Sequence, residues 1–202
     1  MVGIIDYGVG NLFSLRSSLA FLGQEAVISS DVDVLRSADR LILPGVGAFR
    51  DAAQKLKDTG MDALVKEQAK SGKPLLGICL GMQLLFDRSY EYGEYEGLGL
   101  VPGEVIAMKG VVPNELKIPQ MGWNGLEFAN ESPIYKYSKE GEHVYFVHSY
   151  YASKCDGFIT ATTEYGAKIT ASVQNGNVFG TQFHPEKSGN VGLKILKAFC
   201  EI

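Results

Sequence analysis

A cysteine lies on a predicted tight turn, where its thiol could act as a nucleophile. Cys79 is the central residue of the run GICLG at positions 77–81, which follows an apolar stretch and precedes a helical pattern. Glycines on both sides allow a sharp strand-to-helix turn that lifts the central side chain above a sheet. The partial positive charge of a helix N-terminus favours the thiolate over the thiol. A buried structural cysteine is the alternative, but the glycine-flanked turn favours a reactive one.

A histidine and a nearby glutamate could serve as the general base and its orienting acid. His184 and Glu186 flank Pro185 and follow a predicted strand. Pro185 favours an extended His184, so the imidazole and the carboxylate can project to one side. A carboxylate that holds one ring nitrogen leaves the other free to face a nucleophile. We therefore predict a catalytic triad of Cys79, His184 and Glu186, although the HPE run alone could simply close a strand.

A glycine-containing loop could supply the donors that such chemistry needs. In acyl transfer, hydrogen-bond donors stabilise the oxyanion that develops on the attacked carbonyl. The run PGVG at positions 44–47 follows a predicted strand, and its glycines would allow a backbone N–H to turn towards the site. We predict that the backbone N–H groups of Val46 and Leu80 form the oxyanion hole. An ordinary strand-to-helix turn is equally compatible with PGVG taken alone.

The other residues with chemical potential carry weaker signals. Cys155 and Cys200 lack a glycine-flanked turn, and we interpret both as structural. His148 lies on a predicted strand with no carboxylate nearby in the sequence, so we interpret it as structural or pocket-lining. No compact Cys/His spacing predicts a metal site, and the GVG run at 8–10 lacks the third glycine of a dinucleotide fingerprint. We expect no metal and no cofactor.

The first half of the chain alternates predicted strands and helices, which is typical of a parallel sheet with crossover helices. The predicted strands are residues 2–6, 25–28, 40–43 and 74–78. A helix is predicted from Leu12 and is stopped by Gly23. The PGVG loop and the Cys79 turn each follow one of these strands. Both would lie at the carboxyl ends of parallel strands, where such folds build their sites.

The second half predicts a more antiparallel arrangement. The predicted strands are residues 103–108, 143–151, 158–164, 169–174 and 178–183. Asn175-Gly176 is the strongest hairpin signal, because both residue types tolerate a positive φ. An amphipathic helix is predicted from about Asn190. Together the elements predict one α/β domain over residues 1–202, with a mixed, mainly parallel sheet flanked by helices.

The composition is that of a folded globular protein. Of 202 residues, 46% are hydrophobic and 21% charged, with a net charge of −4, which excludes disordered and fibrous classes. No basic block is interleaved with aromatic residues, so we expect no nucleic-acid partner. Apolar stretches end well before the ~20 residues of a membrane span, and the start lacks a basic signal-peptide region. We expect a cytoplasmic protein whose cysteines are reduced thiols.

The motifs together resemble the class I glutamine amidotransferase family. GICLGMQ at 77–83 and HPE at 184–186 are the two halves of that family's signature. Further runs narrow the resemblance to the branch that serves histidine biosynthesis: DYGVGN at 6–11, PGVGAF at 44–49, PQMGWN at 119–124, YFVHSY at 145–150 and HPEKS at 184–188. The resemblance extends over essentially the whole chain and implies the family's flavodoxin-like α/β fold.

This resemblance implies hydrolysis of the side-chain amide of L-glutamine to glutamate and ammonia through a cysteinyl thioester. The Cys79 thiolate would attack the amide carbon, and His184 would protonate the departing ammonia and then activate a water. In this branch the ammonia reaches a (β/α)8-barrel cyclase subunit through a tunnel. The cyclase makes imidazole glycerol phosphate and aminoimidazole carboxamide ribotide. Because the chain ends at Ile202 without a barrel, we expect a heterodimer with that cyclase.

The resemblance also implies roles for residues around the triad. The expected substrate-binding residues are Gly45, Gly47, Gln83, Ser149 and Tyr150, and the expected partner-facing residues are Asn11, Trp123, Tyr145 and Lys187. Trp123 is the only tryptophan and suits an interface anchor, with a core position as the alternative. Val46 departs from the wider family, in which many members carry a further glycine. We expect this loop to stay inactive until the cyclase binds its nucleotide, and rotation of the Gly45–Val46 peptide would then present an N–H.

Three alternatives stay open. The chain could be another amidotransferase of the same architecture, such as one that feeds pyridoxal phosphate synthase. It could belong to another family with a cysteine on the same kind of turn, although that would not explain HPE. It could also be a non-catalytic flavodoxin-like binding or regulatory subunit. The presence of Cys79, His184 and Glu186 together argues against this last alternative.

Overall fold

A mixed eight-stranded sheet forms the centre of the molecule. The computed structural model describes all 202 residues. The strands are β1 (Val2–Ile5), β2 (Ala26–Ser29), β3 (Arg40–Gly45), β4 (Leu75–Cys79), β5 (Arg88–Ser89), β6 (Tyr95–Glu96), β7 (Glu104–Ala107), β8 (Gln120–Gly125), β9 (Glu127–Phe128), β10 (His143–His148), β11 (Tyr150–Ser153), β12 (Ile159–Glu164), β13 (Lys168–Asn175) and β14 (Val178–Thr181). The helices are α1 (Leu12–Phe21), α2 (Val32–Ser37), α3 (Phe49–Asp58), α4 (Met61–Lys70), α5 (Leu80–Gln83) and α6 (Gly189–Cys200).

The sheet order confirms the predicted fold class. The strands run β2-β1-β3-β4-β14-β13-β12-β9. The first five pair in parallel, and the remaining pairs are antiparallel. The central strands are buried on both faces, which is why their sequences are continuous apolar runs. In β3, Leu41 and Leu43 face one hydrophobic core and Ile42 faces the other.

Two smaller sheets stand beside the central one. One pairs β8 with β10, and the other has the order β11-β7-β5-β6. The predicted single strand over residues 143–151 is therefore wrong: it divides at Ser149 into β10 and β11, which pair with different partners. The alternating composition continues across Ser149, so the local pattern contains no sign of the division. The break matters because it lies at the wall of the site described below.

The hairpin between β13 and β14 differs by one residue from the prediction. Asn175 pairs with Val178, so the loop residues are Gly176 and Asn177 rather than Asn175 and Gly176. Only Gly176 has a positive φ, of 58°. The Asn177 side chain donates to the carbonyls of Ala69 and Lys73, at 2.9 and 2.8 Å, around the end of α4. This tertiary contact places Asn177 in the loop, which the local sequence could not show.

The ends of several elements shift by one or two residues. β14 ends at Thr181, two residues before the predicted boundary at 183, and β3 continues to Gly45.

None of the helices combines the length and the apolar composition that crossing a membrane requires. No group of three or more His, Cys, Asp or Glu side chains is arranged to hold a metal ion.

Candidate active site

Cys79 occupies a strained turn between β4 and α5. Its φ of 55° and ψ of −111° are unusual for a residue with a side chain. The flanking glycines allow this turn, because α5 packs directly on the strands. A Cβ on Gly81 would overlap the carbonyl oxygen of Leu43, and one on Gly77 would lie 2.7 Å from the Gly81 oxygen. The structure therefore places Cys79 at the carboxyl end of β4 and at the start of a helix, as predicted.

His184 and Glu186 form a buried pair just beyond the end of β14. His184 Nδ1 lies 2.8 Å from Glu186 Oε1, and the two side chains are 3% and 1% exposed. His184 is extended, with φ −96° and ψ 99°, and Pro185 starts the short 3-10 turn that carries Glu186. The proline thus brings the imidazole and carboxylate together in the way that the sequence predicts.

Electrostatics link this pair to the cysteine. Burial by itself would lower the pKa of His184, but hydrogen bonds and charge from Cys79 and Glu186 outweigh burial and raise that pKa from 6.5 to about 9. Cys79 and His184 line the same cavity, of about 350 Å³. The structure therefore brings the three predicted triad residues together, although 105 residues separate Cys79 from His184 in the chain.

The PGVG loop lies beside the cysteine. The parallel register of β3 and β4 pairs Gly45 with Cys79. A Cβ on Gly45 would lie 2.7 Å from the backbone nitrogen of Gly81, so only glycine fits at this close approach. Gly45 itself is buried below the cavity, whereas Val46 and Gly47 line it, together with Leu80. Gly47 has a φ of 96°, which a side chain would strain.

Tyr7 holds the start of this loop and was not predicted as a site residue. Its hydroxyl donates to the Pro44 carbonyl at 2.8 Å, and the side chain is buried. Burial raises the pKa of Tyr7, and the nearby charge of Cys79 raises it further. Tyr7 therefore stays a neutral donor. The run DYGVGN contained the residue, but nothing in its spacing indicated this contact.

The junction of β10 and β11 forms another part of the cavity wall. Ser149 and Tyr150 line it, as does Gln83 from α5. Gln83 Nε2 donates to the Tyr150 carbonyl and to Gln182 Oε1, each at 3.0 Å. The predicted substrate-binding residues therefore lie at the cavity wall, except for the underlying Gly45.

His148 also lines the cavity and is uncharged. Burial lowers the pKa of His148 from 6.5 to about 4. The hydrogen bond to the Tyr150 carbonyl opposes this decrease, and the charge of His184 adds to it. Because a carbonyl only accepts, Nδ1 carries the proton in the 2.8 Å contact to Tyr150. Nε2 is buried without a partner. This geometry fits the pocket-lining interpretation rather than a second base.

Gln182 and Glu91 are site residues that the sequence reasoning missed. Gln182 is fully buried, and its Nε2 lies 3.8 Å from Cys79 Sγ. Its position two residues before His184 was a usable signal, because alternate residues of extended chain share a face. Glu91 lines the cavity and accepts a hydrogen bond from the Phe49 backbone N–H at 2.7 Å. Burial raises the pKa of Glu91, and no local pattern indicated it.

The other two cysteines lie away from the site. Cys155 and Cys200 are buried, and burial raises the pKa of each thiol to about 11. Neither is therefore a ready nucleophile. A more open depression of about 750 Å³ around residues 128–136 contains no cysteine or histidine. The smaller cavity at Cys79 is the one with nucleophilic chemistry.

Of the four predicted partner-facing residues, one lines the cavity and two pack on each other on the β8–β10 sheet. Trp123 on β8 pairs in register with Tyr145 on β10, and their rings pack edge to face at 6.0 Å. Trp123 is 53% exposed, which excludes the core position, and Met121 on the same strand is 63% exposed. Lys187 lines the cavity. Asn11 precedes α1, beyond the carboxyl end of β1.

Comparisons with known proteins find relatives of essentially the whole chain. The family model for glutamine amidotransferase class-I matches residues 4–201. Imidazole glycerol phosphate synthase subunit HisH of Geobacillus sp. (strain WCH70) is 52% identical, over 100% of this chain and 97% of the relative. The subunit of the same name from Lactococcus lactis subsp. lactis (strain IL1403) is 54% identical, over 98% and 96%.

Solved structures show the same fold at lower identity. A crystal structure of a glutamine amidotransferase superposes with a TM-score of 0.76 at 21% identity, over 99% of this chain and 97% of the other. The structure of PurLQS from Thermotoga maritima gives a TM-score of 0.76 at 22% identity, with the same coverage. Because the family model covers residues 4–201 and the two relatives are more than half identical over nearly the whole chain, the chain belongs to the class I glutamine amidotransferase family.

Proposed function

We propose that the protein is the glutaminase subunit of an imidazole glycerol phosphate synthase in histidine biosynthesis. It hydrolyses the side-chain amide of L-glutamine and delivers the ammonia to a cyclase subunit. The observation that carries the proposal is the meeting of Cys79 with the His184–Glu186 pair at one cavity. The relatives with this name are 52% and 54% identical to the chain over essentially its whole length.

The reaction follows from the protonation state of the site. With a pKa raised to about 9, His184 is protonated at neutral pH and faces the cysteine sulfur as a cation. The thiolate attacks the amide carbon, and the imidazolium gives its proton to the departing nitrogen, so ammonia leaves and a thioester remains. The neutral imidazole then takes a proton from water. The resulting hydroxide attacks the thioester, and glutamate leaves with the thiolate restored.

The cavity wall suits the amino-acid end of glutamine. Both N–H groups of Gln83 are engaged by protein acceptors, so its side-chain oxygen is left to accept from the substrate's ammonium group. Glu91 offers a carboxylate at the same cavity. Backbone groups of Gly47, Ser149 and Tyr150 complete the binding surface. The volume of about 350 Å³ is at the small end of ligand pockets and fits a single amino acid.

The oxyanion hole is formed by the backbone N–H groups of Leu80 and Val46. Leu80 begins α5, where the N–H groups have no partner within the helix. Tyr7 holds the Pro44 carbonyl, so movement of the loop is confined to the residues that follow. Rotation of the Gly45–Val46 peptide exchanges a carbonyl for an N–H at the oxyanion. Cyclase binding with its nucleotide is the event that drives this rotation.

The partner is a (β/α)8-barrel cyclase that docks over the cavity mouth as a heterodimer. Asn11, Trp123, Tyr145 and Lys187 face it, and the exposed Trp123 anchors the contact. The chain works in the cytoplasm as one domain over residues 1–202. Two cores on opposite faces of a single sheet support the one-domain organisation.

The proposal is tested by comparing two nitrogen donors. The chain is mixed with a cyclase subunit, and cyclase turnover is measured with glutamine and with free ammonium. We expect Cys79→Ala to abolish turnover with glutamine and to leave turnover with ammonium unchanged. Cys155→Ala is the matched control and retains both. Loss of both activities in Cys79→Ala, or glutamine-dependent turnover without Cys79, contradicts the proposal.

A chemical label separates the enzyme from a binding subunit that kept the scaffold. A diazo-ketone analogue of glutamine alkylates a thiolate that attacks the substrate's amide carbon. We expect mass spectrometry to find the label on Cys79 alone. A folded protein that binds glutamine and carries no label on Cys79 favours the non-catalytic alternative.

A further inference from the structure

We propose that Gln182 is a positioning residue that donates a hydrogen bond to the Cys79 sulfur, and that the Tyr150 carbonyl sets its orientation through Gln83. The contacts themselves do not depend on the function proposed above, but their consequence for turnover rests on it. Three side chains and one carbonyl carry the argument, all of them at or below the cavity wall.

The orientation of Gln83 is determined by the Tyr150 carbonyl. A backbone carbonyl can only accept, so the atom of Gln83 that lies 3.0 Å from it must be the amide nitrogen. The same nitrogen lies 3.0 Å from the Gln182 side chain. It can donate there only if Gln182 presents its oxygen. The opposite orientation of Gln182 would bring two N–H donors together in a buried position.

The orientation of Gln182 in turn directs a donor at the nucleophile. With its oxygen on Gln83, its nitrogen faces Cys79 Sγ at 3.8 Å. Gln182 is fully buried, so water does not compete for this N–H. A donor stabilises an anionic acceptor more than a neutral one, and the contact therefore favours the thiolate.

The other groups around the sulfur do not replace this donor. The Val147 carbonyl lies 4.0 Å from Sγ and can accept only from the protonated thiol. The titratable groups that face the sulfur are His184, backed by Glu186, and Tyr7. Tyr7 already donates to Pro44, and His184 must give up its proton during turnover. Gln182 is thus the uncharged donor to the sulfur that takes no part in the proton transfers of turnover.

The Tyr150 carbonyl accepts from two side chains at once. It receives Gln83 Nε2 at 3.0 Å and His148 Nδ1 at 2.8 Å, which uses both of its lone pairs. The Tyr150 carbonyl therefore orients the side chains of Gln83 and His148 directly, and through Gln83 it orients Gln182. A substitution of Gln83 is therefore expected to affect the Cys79 sulfur indirectly, through the orientation of Gln182.

The test measures the pH dependence of Cys79 alkylation in the full chain. Iodoacetamide modifies the thiolate, and mass spectrometry of the peptide containing Cys79 gives its rate alone. We expect Gln182→Met to raise the pH of half-maximal rate by about one unit, the size expected for losing one hydrogen bond to a charged group. The matched control is Gln68→Met on α4, which also replaces a buried glutamine and leaves the midpoint unchanged.

A double-mutant cycle tests the route through Gln83. We expect Gln83→Met to raise the midpoint in the wild-type background, because Gln182 is then free to turn its oxygen to the sulfur. In the Gln182→Met background the same change is expected to have no further effect. Additive shifts, or an unchanged midpoint in folded Gln182→Met, overturn the proposal. Should Gln182→Met fail to fold, an unchanged midpoint in Gln83→Met overturns it.

The alkylation assay needs no glutamine, so the two proposals can fail separately. If the chain is a glutaminase, Gln182→Met moves the rising limb of the kcat–pH profile to higher pH by the same shift as the alkylation midpoint, with little change in KM. A shifted midpoint in a chain without glutaminase activity leaves the positioning role intact and contradicts the function. Glutaminase activity together with an unshifted alkylation midpoint in Gln182→Met leaves the proposed function intact and contradicts the positioning role.

Discussion

Glu186 determines what His184 can do. The carboxylate holds Nδ1 at 2.8 Å, so Nε2 is the nitrogen left for the cysteine and the substrate. The glutamate also stabilises the imidazolium that faces the thiolate. Sequence reasoning reached this pair because Pro185 restricts the backbone between the two residues. It could not show that both side chains are buried. This burial strengthens their interaction.

We expect Glu186→Gln to lower glutaminase kcat by roughly 10²–10⁴-fold, because the amide neither fixes the imidazole tautomer nor stabilises its charge. The pKa of His184, raised to about 9 in the native protein, is expected to fall in the variant. Glutaminase assays and NMR titration of the imidazole measure the two effects. Glu142→Gln is the control, since Glu142 pairs with Lys194 away from the site.

The same pair gives stability a defined pH dependence. The folded pKa of His184, about 9, lies above its ordinary value of 6.5. Protonated His184 therefore stabilises the fold fully below pH 6.5, and this contribution is lost as the pH rises through 9. We expect Glu186→Gln to flatten this decline in urea unfolding. An equally steep decline and an unchanged kcat would show that the carboxylate does not act on the imidazole.

The loop from β3 to α3 is the element whose conformation controls the oxyanion hole. Its position follows from the strand register, which pairs Gly45 with Cys79. The sequence predicted a strand followed by a tight glycine-containing loop here. It could not show that Tyr7 holds the Pro44 carbonyl or that Glu91 caps the N-terminus of α3, because both contacts join distant segments.

We expect Val46→Pro to lower glutaminase kcat by about 10²–10³-fold, because proline lacks the N–H proposed to stabilise the oxyanion. Val46 is 42% exposed, so the change is expected to leave the fold intact. Val46→Ala, which retains the N–H, is the control and stays within a few-fold of wild type. Turnover by the cyclase complex and circular dichroism provide the measurements. Wild-type kcat in Val46→Pro would remove Val46 from the oxyanion hole.

The β8–β10 sheet contributes to the cavity wall and also has an exposed apolar face. Trp123 and Met121 lie on this face, and Tyr145 supports the tryptophan ring. Pro119, just before β8, lines the cavity. A partner that covers this face would therefore lie next to the wall of the cavity. This arrangement suits ammonia that must pass from one subunit to the next.

We expect Trp123→Ala to weaken cyclase binding by about 2 kcal/mol, or roughly 30-fold in Kd, because an exposed anchor loses its packing on the partner. Isothermal titration calorimetry with the cyclase measures the affinity. Unfolding stability is expected to change little, since the side chain is half exposed. Binding unchanged within two-fold would place the interface elsewhere.

Phe21→Ala is the matched control for this surface. Phe21 is 79% exposed at the end of α1, which begins beyond the carboxyl end of β1 and runs back towards the amino ends of the strands. It therefore lies at the opposite edge of the sheet from Cys79. We expect its replacement to leave the affinity for the cyclase unchanged.

The sequence by itself determined the features that depend on neighbouring residues. Glycines around Cys79 required a tight turn, Pro185 set the geometry between His184 and Glu186, and continuous apolar runs indicated buried parallel strands. These features are local because backbone sterics and hydrophobic periodicity act over a few positions. They were sufficient to predict the fold class and the meeting of Cys79 with the His184–Glu186 pair.

Only the tertiary structure decided which distant segments meet. It divided residues 143–151 between two sheets and placed Gly176 and Asn177 in the hairpin loop. It also placed the Gln182 amide nitrogen 3.8 Å from the Cys79 sulfur and the Gln182 oxygen against Gln83. Strand pairing and buried side-chain hydrogen bonds depend on partners far away in the chain, so no local pattern contains them.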